Sequence, residues 1–351
     1  MIPYILAGLI IIAVNVLFIH KTKYSVIGYF ILFALLYLLC VFRNTSVGTD
    51  YQYYADMFKT IGEHKITDPQ VKALLWKKEY GWYYFNKVFF IYGTFFLYIC
   101  FFYFITYFLI FRTILDKSSI PLLSLLLYFF CGYYFASYNV MRQVFVFSFF
   151  FYALRYVESK EFIKYSVILV LGAFIHLSSL FLIPFFVVRY FKWSRSFLIA
   201  LLIISLLLGF SNFFLKITPY IHIDRLKNYI ALLHKNISFF GYLIFLINTL
   251  LAILFLLYTK DINSRESIYL KFLVFGIILS NLVMHFQWLF RFSEVYFIPI
   301  MIIGYTNVIS ECTSKNNKLI LTSILLGYAF TIFFISLASN SNGIVPYKLV
   351  N

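Results

Sequence analysis

The sequence predicts an all-α polytopic membrane protein with about 10–12 transmembrane helices, and three observations carry that prediction. Apolar residues make up 63% of the 351 and the mean hydropathy is +0.90, so polar surface is too scarce to cover a soluble globule. These residues gather in runs of about twenty, the length at which a helix rising 1.5 Å per residue crosses a hydrocarbon core of about 30 Å. Strict apolar/polar alternation, which a transmembrane barrel needs, is absent. The net charge of +16 is spread among short loops and forms no stripe, so it signals topology in a lipid bilayer and no nucleic-acid partner is expected. Cys40, Cys100, Cys131 and Cys312 are dispersed, and no His, Cys or carboxylate cluster has metal-ligand spacing. No disulfide framework, metal or cofactor is therefore expected.

Taken in order, the first spans run from Ile2 to Ile19 and from Tyr24 to Phe42. The first lacks a basic flank and a small-residue cleavage site, which reads as a retained span. A hydrophilic segment, Arg43 to Tyr80, then carries Asp50, Asp56, Glu63, Asp68 and Glu79. The apolar run up to Leu115 is too long for one perpendicular crossing, so its aromatic start at Glu79–Lys87 is expected to lie along the interface. Spans four and five, Ile120 to Ser137 and Val140 to Val157, are joined by SYNVMRQ, which leaves Asn139, Arg142 and Gln143 at the membrane boundary. Polar groups in an apolar bundle need partners.

The next run, Phe162 to Tyr190, holds His176 near its centre and Pro184 beyond it. It reads either as one tilted helix or as a broken, re-entrant pair meeting near residue 176. Charge selects the second reading. With the N-terminus outside and this segment re-entrant, the inner short loops hold 15 of the 29 Lys and Arg, against Arg142 and Arg291 in the short outer turns. Spans seven to eleven follow at Ser196–Leu215, Phe239–Tyr258, Ile268–Trp288, Phe292–Ile309 and Leu319–Leu337, with a polar, turn-rich tail. Residues 1–351 thus form a single integral membrane domain with external segments at 43–82 and 216–238. Arg43, Asp50, Glu79, Arg142, His176, Arg225, Arg291 and Glu294 all approach the outer face, as a site fed from that leaflet would require.

Several arginines without a metal motif point to an anionic, phosphorylated ligand, since guanidinium offers a fixed charge and a forked donor set. A nearby aspartate or histidine can take a proton from an attacking hydroxyl. Tyrosine faces at the rim, Tyr51 and Tyr54 among them, suit sugar rings. The pieces R-x4-G-T-D-x3-Y (Arg43 to Tyr54), E-x-G-x4-N (Glu79 to Asn86), S-x-N-x2-RQ (Ser137 to Gln143) and F-x-H-x-S (Phe174 to Ser178) resemble the EpsG family, among the Wzy-type polymerases of O-antigen, capsule and exopolysaccharide. Where that pattern usually has alanine after RQ, this chain has Val144-Phe145-Val146.

The resemblance implies a GT-C-like arrangement in a bacterial inner membrane, with the site facing the periplasm or cell exterior. It implies that a growing glycan moves from undecaprenyl pyrophosphate to the non-reducing end of the next lipid-linked repeat unit, with a chain-length regulator as a further partner. On that basis Arg142 and Arg291 would bind the donor pyrophosphate and Arg43 would support Asp50 or a second pyrophosphate. Asp50 is the leading base and His176 the competing one. Glu79 would orient the acceptor or hold its loop, and Asn139, Gln143, Arg225 and Glu294 would line the substrate. Two other readings stay open: a ligase or single-addition transferase using the same lipid carrier, and a flippase for lipid-linked oligosaccharide.

Overall fold

The computed structural model describes residues 1–18, 25–75, 79–213, 216, 237–340 and 342–350. It is 78% helical with no strand among them, as expected of an all-α polytopic membrane protein. The chain groups into two units, Met1–Phe186 with Leu319–Asn351, and Val187–Lys318.

In the first unit, α1 (Ile2–Phe18) and α2 (Ser25–Val41) match the first two expected spans. The segment that follows is helical: α3 (Tyr51–Glu63) and α4 (Pro69–Leu74) precede α5 (Tyr80–Tyr92). Helix α3 is amphipathic, with Tyr51, Tyr54, Met57, Phe58 and Ile61 buried at helical spacing and Gln52, Asp56 and Lys59 exposed. The long run divides as expected. After α5, Gly93 breaks the helix and the Thr94 hydroxyl accepts the Leu97 N–H to cap α6 (Phe95–Lys117).

Span four departs from expectation. It stops as α7 (Pro121–Phe130), passes Gly132 at φ +82°, and resumes only as the single turn α8 (Tyr133–Ala136) before α9 (Met141–Glu158). A left-handed residue ends a helix at little cost only if it is glycine. The break lets the Tyr134 and Tyr138 hydroxyls donate to the carbonyls of Leu36 and Leu39 in the last turns of α2.

The run holding His176 is broken there. Helix α10 (Phe162–Ala173) ends, and a 3₁₀-helix (Leu177–Arg189) containing Pro184 begins just after His176. Up to Phe186 the two arms lie antiparallel. Phe162 packs on Phe186 with ring centroids 5.1 Å apart, the Tyr165 hydroxyl donates to Leu182 O at 2.7 Å, and the Ser179 hydroxyl donates to Leu169 O at 2.6 Å. The segment is a hairpin with His176 at its tip, the geometry of a re-entrant pair.

The second unit comprises α11 (Arg195–Phe210), α12 (Phe239–Tyr258), α13 (Ile268–Leu282), α14 (Gln287–Tyr296), a 3₁₀ turn at Ile298–Ile300 and α15 (Met301–Glu311). Ser194 and Ser238 cap α11 and α12 through their hydroxyls. Helix α13 is the buried centre, and its Asn281 amide donates to Ser205 of α11 and Thr249 of α12. Three boundaries in this unit differ from the sequence reading: span seven ends at Phe210, not Leu215, span nine ends at Leu282, not Trp288, and the next helix already begins at Gln287. Helix α16 (Lys315–Ser339) belongs to the first unit from Leu319 onward and packs Phe330 and Phe333 on Phe130 of α7.

Candidate active site

Glu79 stands at the N-terminus of α5, yet its side chain makes no capping bond there. Its buried carboxylate instead gathers three groups. Oε2 accepts from Arg142 Nη1 at 2.6 Å, and Oε1 lies 2.5 Å from His176 Nδ1 and accepts the Leu177 N–H at 3.2 Å. One residue therefore ties the start of α5 to the first turn of α9 and to the tip of the hairpin. Gly81 makes this approach possible: a Cβ there would lie 2.1 Å from the Phe174 carbonyl oxygen. The E-x-G and F-x-H pieces are thus two sides of one backbone contact.

Arg142 is flanked by Trp82, whose ring centroid is 5.4 Å from the guanidinium carbon, and by the Tyr54 hydroxyl on α3. The His176 side chain is 16% exposed. A neutral imidazole that gives its Nδ1 proton to Glu79 keeps its lone pair on Nε2, for which there is no partner among the described residues. Such wiring can orient an imidazole to act as a general base.

Burial alone would push the Glu79 carboxyl up, but the hydrogen bond from His176, the Arg142 charge and the Leu177 N–H together hold it below the ordinary carboxylate range. A carboxylate depressed in the folded state contributes stability that is fully present above its unfolded pKa of about 4.3. That contribution is lost as pH falls through the folded value. The melting temperature of the purified protein should therefore drop on acidification below about pH 4 more steeply than that of Glu79→Gln. Parallel melting curves for the two proteins across that window would sink the assignment.

A second cluster surrounds Arg43, which is 1% exposed. Its Nη1 donates to the Cys40 carbonyl at 2.5 Å and its Nη2 to the Tyr103 hydroxyl at 2.8 Å. The Tyr51 and Tyr138 rings stand 3.8 and 4.3 Å from the guanidinium carbon. A cation on the last carbonyls of α2 also suits the helix dipole. Arg43 makes no ion pair with Asp50 among the described residues; Asp50 instead accepts from the Thr49 hydroxyl at 2.8 Å and is partly exposed.

The loop between Arg43 and Asp50 is held by Asn139 and by the C-terminal tail. Asn139 Oδ1 accepts the Thr49 N–H at 2.7 Å while its Nδ2 donates to Asn342 O at 3.0 Å. The Gly48 N–H donates to Gly343 O, Asn44 N–H to Lys348 O and Val350 N–H to Phe42 O, at 2.8–2.9 Å. Gly48 sits at φ +106°, and a Cβ there would lie 2.9 Å from both Asn139 Oδ1 and Tyr138 O. Gly48→Ala should therefore cost about 1–3 kcal/mol from backbone strain alone. Chemical denaturation in detergent reads that loss, and an unchanged midpoint would contradict the loop geometry.

Of the residues expected at the site, Arg142, His176, Glu79 and Tyr54 meet in one cluster. Arg43, Tyr51, Asn139 and Asp50 form or border the loop latch, reached through the same face of α3. Gln143 follows Arg142, and its Oε1 is buried without a partner. Arg291, half-buried, and Glu294, exposed, lie on α14 of the second unit. Arg225 lies outside the described residues. Tyr103, which links Arg43 to the Ser137 carbonyl, and the tail were not anticipated. The only sequence signal for the tail was its Asn-Gly turn at 342–343.

The motif pieces therefore pack in pairs, Glu79 and Gly81 against His176 and Phe174, and the loop after Arg43 against Asn139. A family model described as the EpsG family matches residues 26–349. The chain belongs to the EpsG family. The EpsG match takes in both units and the tail, in accord with the tail's place on the Arg43 loop. Curated proteins and solved structures give no match to this chain. EpsG is a Wzy-type polymerase-like family, so the chain is a multi-pass membrane protein with a polysaccharide-polymerase-like role, working on lipid-linked substrates.

Proposed function

We propose that this EpsG protein extends a polysaccharide at the outer face of a bacterial inner membrane by moving the growing glycan from undecaprenyl pyrophosphate to the non-reducing end of the next undecaprenyl-linked repeat unit. The observation that carries this reading is the Glu79 carboxylate shared by Arg142 and His176. His176 Nε2 takes the proton of the acceptor hydroxyl as that oxygen attacks the anomeric carbon of the donor. The bond from that carbon to the pyrophosphate oxygen breaks, and undecaprenyl pyrophosphate leaves with the bonding pair. Arg142 meets the charge that develops on the pyrophosphate, and Glu79 stabilises the imidazolium. The displacement is drawn as metal-independent, with the cation supplied by arginine.

Asp50, first in line as base on sequence grounds, takes a supporting place here: it is bonded to Thr49, and no cation pairs with it among the described residues. Arg43 is given the role of holding the loop, since its two terminal guanidinium nitrogens donate to Cys40 O and the Tyr103 hydroxyl and the side chain is enclosed. Arg291 is proposed as a pyrophosphate ligand by its residue type, and a chain-length regulator as a partner. The test is turnover of a purified lipid-linked single repeat unit. A ladder of longer lipid-linked products supports polymerisation. A single added unit indicates a transferase, and movement across liposomes without bond formation indicates a flippase.

A further inference from the structure

The hydroxyl that His176 is proposed to deprotonate belongs to a sugar, and the ring that carries it needs a surface to rest on. The sequence points to Tyr51 and Tyr54 for that surface, but the structure leaves neither face available. They are 3% and 7% exposed: the Tyr51 ring lies on the Arg43 guanidinium, and Tyr54 packs on Trp82 with its hydroxyl beside Arg142. Tyr53 is the exposed one. It is 50% exposed, its ring centroid stands 6.0 Å from that of Tyr54, and its hydroxyl has no partner among the described residues. It is also close enough to Arg142 to act on the guanidinium charge.

Asp50 supplies a polar group on the same side. It occupies the N-cap position of α3, where a carboxylate ordinarily folds back onto the N–H groups of the first turn, yet it makes no such bond. Its Oδ1 accepts from the Thr49 hydroxyl at 2.8 Å, and its Oδ2 accepts from no described residue. Residues three apart on a helix are neighbours on its surface, which places Asp50 beside Tyr53. Asp50 also lies near enough to the Tyr54 hydroxyl to act on it. A half-exposed ring and a free carboxylate oxygen thus stand together next to the Arg142 end of the Glu79 cluster. The carboxylate repels a phosphate, so the pair suits a neutral ligand rich in hydroxyls. A pyranose meets both demands: its C–H groups rest on the negative face of an aromatic ring, and its hydroxyls donate to a carboxylate.

We propose that Asp50 and Tyr53 form the subsite for a sugar of the acceptor repeat unit, with Tyr53 stacked on the C–H face of one pyranose ring and Asp50 Oδ2 accepting from one of its hydroxyls. Calling that sugar the acceptor rests on the polymerase reading. Both residues bind and orient the ring, while the proton of the attacking hydroxyl still goes to His176. The subsite favours a ring that can turn a face free of axial hydroxyls toward Tyr53.

The probe is the repeat-unit oligosaccharide released from its lipid carrier, which has neither pyrophosphate nor polyprenyl chain. Its binding to full-length protein in detergent is read by saturation-transfer NMR, with the melting temperature measured beside it. Wild type should transfer saturation to the C–H protons of the bound ring, and excess inorganic pyrophosphate should not abolish the transfer. Tyr53→Leu and Asp50→Asn should each weaken binding about tenfold, the scale of one stacking contact or one charge-assisted hydrogen bond. Tyr53→Phe, which keeps the ring face, should recover most of the loss seen in Tyr53→Leu. In extension assays Tyr53→Leu and Asp50→Asn should raise the KM for the lipid-linked repeat unit more than they lower kcat. Three results would overturn the subsite while a wild-type product ladder left the polymerase reading standing: no binding to wild type, binding unchanged in both variants, or binding weakened only in step with the melting temperature. Binding lost in both folded variants, with no wild-type ladder, would keep the sugar subsite and remove the polymerase reading.

Discussion

Glu79→Gln is expected to lower the rate of glycan extension by about 10²–10⁴-fold, the range typical of a disabled general base. The substitution keeps shape and removes charge. A neutral amide in that place no longer selects the imidazole tautomer with its lone pair on Nε2, because its own NH₂ can face Nδ1 as readily as its oxygen. Nor does it neutralise Arg142, whose guanidinium is 15% exposed at the side chain and would be left as a largely buried, unpaired cation. Breaking a buried pair from one side costs about 3–5 kcal/mol, so a folding defect must be separated from a catalytic one. Melting temperature measured beside turnover does this. A variant that folds but does not extend confirms the role, and one that extends at the wild-type rate removes Glu79 from the site.

Gly81→Ala should act through the backbone. The new methyl would meet the Phe174 carbonyl oxygen at 2.1 Å, and a carbonyl in a helix break cannot rotate aside as a side chain can. Either α5 or the hairpin tip must move by about 1 Å to restore van der Waals contact. That shift falls on the segment bearing His176 and on the turn bearing Glu79, and a misplacement of this size can cost about 10²-fold in rate. Overpacking of this kind also destabilises by about 1–3 kcal/mol. Turnover and melting temperature should both fall, with the larger effect in turnover. Wild-type behaviour in both would mean that α5 and the hairpin tip are not in contact.

Much of this arrangement was legible before any coordinates. Hydrocarbon runs mark helices because only helices satisfy their own backbone within a bilayer, and the positive-inside bias favoured a chain that turns back near His176. The pieces around Arg43, Glu79, Arg142 and His176 were visible as polar residues where polar residues are costly. Which carboxylate faces which cation was not, since Asp50 and Glu79 offer the same chemistry and only the approach permitted by Gly81 chooses between them. The end of span nine was hidden because residues 283–286, Val-Met-His-Phe, turn the chain without glycine or proline. Span four looked continuous because its apolar character persists on both sides of Gly132. The tail's docking rests mostly on backbone bonds to Phe42, Asn44 and Gly48, which leave little trace in side-chain identity.

The most direct test compares His176→Asn and Asp50→Asn, purified and shown to fold, in extension of a lipid-linked single repeat unit across pH. If Glu79-oriented His176 is the base, His176→Asn yields no ladder and Asp50→Asn retains one, with the acidic limb of its rate profile unchanged from wild type. A ladder that survives in His176→Asn and disappears in Asp50→Asn would contradict this and move the base to the loop after Arg43.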